Sequence, residues 1–178
     1  MKYFDELKNA MNLLDKNDKV IFLGQAVTYP GTALYKTLLE VNKNKKMEFP
    51  VAEDFQLGYS TGLALEDYIP VSIFPRMDFL LLATNQLVNH LDKIKEISNN
   101  KMQPKVIIRT AIGSKKPLYP GVQHCQNHIE ALRLMLTNIE IIELTEADQI
   151  VPAYKKALER TDGKSTMLVE HADFYNEK

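Results

Sequence analysis

Six short apolar runs, separated by stretches with helical periodicity, restrict this chain more than any other feature. They are Val20–Leu23, Met47–Val51, Pro70–Phe74, Lys105–Ala111, Ile139–Leu144 and Thr166–Glu170, all too brief for a buried helix. Runs of that kind suit strands covered on both faces, as in a parallel sheet. Between them, Phe4, Leu7, Met11 and Leu14 recur at steps of three and four, which is one face of an opening helix. Further helices are predicted from Ala33 to about Glu40, after Glu53, over Asp78–Ile97, over Gln126–Thr137 and over Glu146–Arg160. The alternation predicts an α/β fold: an open, mostly parallel six-stranded sheet with helices on both faces. No internal repeat or dividing linker interrupts the 178 residues, which fit a single domain over 1–178.

Composition excludes several classes of partner. The formal charge is −1, so the chain carries no electrostatic footprint for nucleic acid or an anionic membrane. Cys125 is the lone cysteine, which rules out an intramolecular disulfide and suits a reducing compartment. Asp5, Glu6 and Lys8 interrupt the apolar residues of the N-terminus, against a signal peptide or a membrane span. The expectation is a cytoplasmic protein. The glycine fingerprint for dinucleotides, the phosphate loop and the nucleophile elbow are all missing. His124 and His128 stand at helical i, i+4 spacing, but no carboxylate lies at ligand spacing, so no metal site is expected.

Chemistry concentrates in Glu48–Phe79. There the acidic pair Glu53-Asp54 falls where the second strand hands over to its helix. In a parallel sheet that edge is where ligands bind. The plainer alternative is that both acids complement a helix N-terminus, worth a few tenths to about 1 kcal/mol. Gly58, Gly62 and Ala64 on the same helix allow close backbone approach. Asp78–Ile97 is apolar on more than one side, which predicts contact with another subunit. The lysine- and asparagine-rich stretch Asn42–Lys46 reads as a solvated connection.

An ordered series of motifs then gives the chain a likeness. Phe22-Leu23-Gly24 closes the first strand, and Pro50-Val51-Ala52-Glu53 leads into a helix with Gly58 and Gly62. Asp78-Phe79 opens the next helix, which continues with Gln86, Val88-Asn89 and Lys93. Ile108-Arg109-Thr110, Gly113, His124-Cys125-Gln126 and Glu130-Ala131 complete the series. Over nearly its full length the chain resembles the pyrimidine-binding domain of thiamine-diphosphate enzymes. It is most similar to the N-terminal half of the β subunit of 2-oxo acid dehydrogenase first components, in the transketolase-like superfamily.

The resemblance implies roles for particular residues. Glu53 would hydrogen-bond a pyrimidine nitrogen of thiamine diphosphate, so that the amino group opposite can take the proton from the thiazolium carbon. Phe79 would be the aromatic wall on which the aminopyrimidine stacks, unless it is an ordinary core phenylalanine. His124 would face substrate and cofactor as a proton donor or charge stabiliser, since imidazoles titrate near neutrality, unless it merely caps a helix start. Pro75-Arg76-Met77 stands where the family usually has Gln-Phe-Ala. Arg76 therefore becomes a candidate contact for a substrate carboxylate or phosphate, the alternative being a pair with Asp78. Gln25 and Ala26 replace the family's acidic residues after the first strand, which puts a proton relay to a neighbouring site in doubt.

No Gly-Asp-Gly…Asn-Asn stretch, which holds the diphosphate and its magnesium in this superfamily, occurs in the chain. The family's C-terminal domain is likewise not expected here, with the sixth strand predicted close to residue 178. The resemblance thus implies half of an active site, completed by a diphosphate-binding α-type subunit that holds the magnesium, in an α2β2 assembly. The implied reaction is decarboxylation of a 2-oxo acid with acyl or aldehyde transfer. A split transketolase-like subunit acting on a ketose is the alternative, and a non-catalytic binding or assembly module is a third.

Overall fold

A computed structural model of the protein describes residues 1–176. Its sheet has six strands, all parallel: β1 (Val20–Gly24), β2 (Lys46–Glu48), β3 (Ile69–Phe74), β4 (Ile107–Ile112), β5 (Ile139–Leu144) and β6 (Ser165–His171). The spatial order is β2-β1-β3-β4-β6-β5. From β1 the chain goes first to one side, to β2, and then to the other, to β3. The crevice between the ends of β1 and β3 is thus a topological switch point.

Alternating residues of the strands feed two cores, because successive side chains on a strand point to opposite faces. On one face Phe22, Val71, Ile107 and Leu168 pack with α1 (Tyr3–Asp15) and α6 (Ala147–Glu159). Tyr3, Leu7, Ala10, Met11 and Leu14 form the buried stripe of α1. On the other, Phe74, Ile108, Met167 and Val169 pack with Leu57 of α2 (Glu53–Leu65) and Leu132 of α5 (Ile129–Met135). Among the described residues, no helix is long and apolar enough to cross a membrane.

Several elements differ from the sequence expectation. The strand predicted over Met47–Val51 is reduced to Lys46–Glu48 and ends before Pro50. The helix expected from Ala33 is a single 3-10 segment, Leu34–Leu38. Asn42–Lys46 is tied down rather than simply solvated: Lys45 Nζ donates to the Asp15 and Asn17 carbonyls, and Lys46 Nζ to that of Leu38. The helix predicted from Gln126 starts at Ile129, since Asn127 Oδ1 accepts from the Ile129 amide and holds the preceding turn open.

Asp78–Ile97 is not one helix. It breaks into α3 (Met77–Leu80), a 3-10 turn (Leu81–Ala83), a π-helical turn (Gln86–Leu91) and α4 (Ile94–Ile97). In the widened turn the Asp92 amide reaches back to the Leu87 carbonyl at 3.0 Å. The turn delivers Asp92, fully buried, to the start of β5. There Oδ1 accepts from the amides of Thr137 (2.9 Å) and Asn138 (2.7 Å), and Oδ2 from the Thr137 hydroxyl.

Beneath the sheet ends lies a buried ionic cluster. Arg109 of β4 and Glu170 of β6, both wholly inaccessible, pair through Nε and NH2. The hydroxyls of Tyr154 and Tyr175 donate to the same carboxylate, and Arg109 NH1 donates to the Thr37 hydroxyl. Such a pair is stable only because its remaining hydrogen-bonding capacity is satisfied. Arg109, one of the motif residues, thus joins β4, β6 and α6 rather than facing a ligand.

Candidate active site

Over the C-terminal ends of the strands, at the switch point, lies a cavity of about 570 Å³. Its walls come from the segments that leave each strand: Gln25 and Ala26 after β1, Pro50 and Val51 after β2, Arg76 and Phe79 after β3, Gly113 and Ser114 after β4. Tyr175, a member of the buried cluster, lines it from beneath β6.

The turn after β1 is shaped by two local facts. Gly24 has φ of 152° and lies so close to the Ile73 carbonyl that a Cβ would overlap it, so only glycine lets β1 end there against β3. Ala26 follows with φ of 54°, an unusual conformation for a residue with a Cβ. The Glu48 carboxylate stabilises that turn. Its Oε1 accepts from the Ala26 amide at 2.6 Å, and its Oε2 from the amides of Val27 and Thr28 at 2.9 Å and from the Thr28 hydroxyl at 3.1 Å.

Glu53 is the first residue of α2 and only 4% exposed. Its Oε1 accepts from Gln25 Nε2 at 2.9 Å. The side chain does not stand in bulk water as a plain helix-starting charge would. Its neighbour Asp54 does lie on the surface, where Gln86 donates to it. Glu53 sits behind the cavity wall, and Gln25, which does line the cavity, connects it to that space.

Phe79 lines the cavity and meets His124 edge-on, with ring centroids 5.7 Å apart and planes at 89°. Phe79 is thus partly exposed at the cavity rather than fully buried. His124 ends a short 3-10 turn, Val122–His124, and its Nδ1 is buried with no hydrogen-bond partner. Arg76 is half-buried; its NH1 donates to the carbonyls of Gly113 (2.8 Å) and His124 (2.7 Å). It does not pair with Asp78, which instead accepts from the backbone and side chain of Gln126. Arg109, Arg133 and Arg160 each pair with a carboxylate, but among the described residues Arg76 pairs with none.

The structure thus places Arg76 and Phe79 in the wall of one cavity, with His124 packed against Phe79 outside that lining and Glu53 behind Gln25. Sequence reasoning missed Glu48 and Tyr175. Glu48 carried a faint signal, an acid at the end of a strand in a parallel sheet; nothing local marks Tyr175. Among the described residues no group of three or more His, Cys, Asp or Glu side chains is gathered so as to hold a metal ion.

No family model matches the chain. It is 27% identical over 98% of its length to a protein of Gracilaria tenuistipitata var. liui described as pyruvate dehydrogenase E1 component subunit beta. It is 25% identical over 78% of its length to the 2-oxoisovalerate dehydrogenase subunit beta of Bacillus subtilis (strain 168). The likeness to 2-oxo acid dehydrogenase β subunits therefore holds. The chain spans about half the length of these curated relatives, 54% and 42% respectively. In fold it matches a split-gene transketolase described as an inactive beta4 tetramer, with TM-score 0.69, 18% identity, and 94% of this chain and 50% of that one covered. It also matches transketolase from Campylobacter jejuni subsp. jejuni NCTC 11168, with TM-score 0.74, 16% identity, and 94% and 25% covered. The fold of these two chains is thus shared by this one, an α/β sheet of the expected kind.

Proposed function

We propose that the chain is the pyrimidine-binding subunit of a heteromeric thiamine-diphosphate enzyme that decarboxylates a 2-oxo acid and transfers the acyl or aldehyde product. The observation that carries this reading is a buried carboxylate, Glu53, at the β2–α2 junction, held by Gln25 beside a cavity walled by Phe79. The residues present fit the pyrimidine half of the cofactor. A flat ring needs an aromatic or apolar wall, which Phe79, Pro50 and Val51 offer, and one carboxyl group for its nitrogen. When bound, thiamine diphosphate supplies the carbanion stabilisation that lets a 2-oxo acid lose carbon dioxide.

In this reading Glu53 shares a proton with the pyrimidine nitrogen, and Gln25 fixes its orientation without adding a second charge. His124, packed edge-on against Phe79, would act on the substrate side as a proton donor or charge stabiliser. Arg76 binds the substrate carboxylate, an assignment supported by its lack of a counter-ion at the cavity wall. Diphosphate and magnesium would be held by an α-type partner chain, since these 178 residues carry no stretch of the kind that binds them. Val51, Phe55, Leu81 and Leu82 are exposed apolar side chains, which supports association through the helices after β2 and β3. The lone cysteine agrees with a cytoplasmic setting.

The test is to mix the full chain with a diphosphate-binding subunit, add thiamine diphosphate and magnesium, and follow decarboxylation of pyruvate or a branched 2-oxo acid. Glu53→Gln is expected to lower the rate about 10²- to 10⁴-fold, the span of a lost general acid–base contribution. Cofactor binding indifferent to that substitution, with no turnover gained from the partner, would leave a binding or assembly module. Turnover of ketose donors alone would leave the split transketolase alternative, whose fold the structural match shares.

A further inference from the structure

We infer that Glu48 is a positioning residue for this site: its carboxylate acts as an internal anion that shapes the turn after β1 and so sets Gln25 against Glu53. The inference rests on the thiamine reading only for what the arrangement is used for. Three successive amides, Ala26, Val27 and Thr28, converge on one carboxylate, with the Thr28 hydroxyl as a fourth donor. Successive amides around a left-handed residue form a concave anion nest. Ala26, with φ of 54°, supplies that residue. Here the nest is filled from within the fold, by a side chain from the last position of β2.

The consequence reaches the candidate site in one step. Gln25 lies between Gly24, fixed by its approach to Ile73, and Ala26, fixed by Glu48. With both neighbours held, its carboxamide is directed to Glu53, where Nε2 donates at 2.9 Å. The Phe49 amide also bonds the Gly24 carbonyl at 2.9 Å, so the segment after β2 and the turn after β1 move as one piece. Gln25, Ala26 and Tyr29 of this turn line the cavity. A carboxylate that touches neither cavity nor Glu53 thereby controls the orientation of both.

The experiment uses the full chain, with amide hydrogen exchange at residues 26–28 and the side-chain carboxamide NMR signal of Gln25 as readouts. In Glu48→Ala the three amides are expected to exchange faster, on the order of tenfold or more, as a local opening would allow. The Gln25 signal is expected to move to that of a free glutamine. Added formate, a small carboxylate that can enter the vacated nest, should reverse both changes with increasing dose. Should Glu48→Ala fail to fold, Glu48→Gln keeps the shape without the charge, and the exchange of amides 26–28 is compared with the Gln25 signal in it without added formate. Thiamine, titrated into the same samples, should bind more weakly in the variant and recover with formate. A Gln25 signal unmoved while amides 26–28 are released, or not restored by formate, overturns the inference. A wild type that ignores thiamine while its Gln25 signal still follows Glu48 would remove the thiamine reading and leave this one standing.

Discussion

Two arginines show how differently the same guanidinium can be placed within one fold. Arg109 is entirely inside the protein, neutralised by Glu170 and braced by Thr37. Burial works against its charge, but Glu170 more than offsets that and holds the group above the usual arginine range. Removing either member would strand the other, at a cost of about 3–5 kcal/mol, so its place is architectural. Arg76, at the cavity wall, has two carbonyls for NH1 and, among the described residues, no carboxylate. A half-buried cation with no counter-ion leaves a positive potential in the space it faces, more effective there than in open water. Arg76→Ala is therefore expected to weaken anionic substrates selectively, by about 10- to 100-fold in kcat/KM if a charge-assisted bond of about 1.5–3 kcal/mol is lost. Steady-state kinetics with anionic and neutral acceptors would check this; equal losses for both would remove the assignment.

At the level of elements, the irregular segment between β3 and β4 is held by Asp92. Burial raises the cost of its charge, yet the Lys93 ammonium and the Asn138 and Thr137 amides outweigh that and keep its carboxyl below the usual carboxylate range. A carboxylate with a depressed native value stabilises the fold fully above the unfolded-state value of about 3.9 and loses that contribution as pH falls through the lower native value. Asp92→Asn should accordingly remove part of the acid sensitivity of unfolding, with a loss of about 1–3 kcal/mol at neutral pH that shrinks toward pH 2. Urea titrations across that range would show it; parallel stability curves for both proteins would contradict it. The same segment marks where sequence reading ran out. Ile139–Leu144 was legible to the residue, because a short isoleucine-rich segment between two helical patterns is enough to mark a strand. The π-helical turn was not, because what shapes it is a cap on Thr137 and Asn138, more than 40 residues further along. Glu53, Phe79 and His124 could be named because they stand in an ordered series of motifs, and Arg76 because it departs from that series close to Phe79. Glu48 could not, because its partners are backbone amides, which leave no side-chain pattern to read.

Taken as a whole, the molecule places the segments from five strand ends around one crevice, and exposes Val51, Phe55, Leu81 and Leu82 on the segments that follow β2 and β3. If the chain self-associates through those helices, Phe55→Asp together with Leu82→Asp should lower the sedimenting mass without changing the fold, since both side chains are exposed. An unchanged mass would point to another face. The cluster around Glu170 also gives the fold an optical signature. The chain has no tryptophan and eight tyrosines. Burial, with Glu170 nearby, raises the phenols of Tyr3, Tyr154 and Tyr175 well above the ordinary value. In an alkaline titration these three phenols should stay silent past pH 10, about the ordinary phenol value. Their phenolate absorbance should emerge only when the sheet itself comes apart, a built-in dye that reports on the intact molecule.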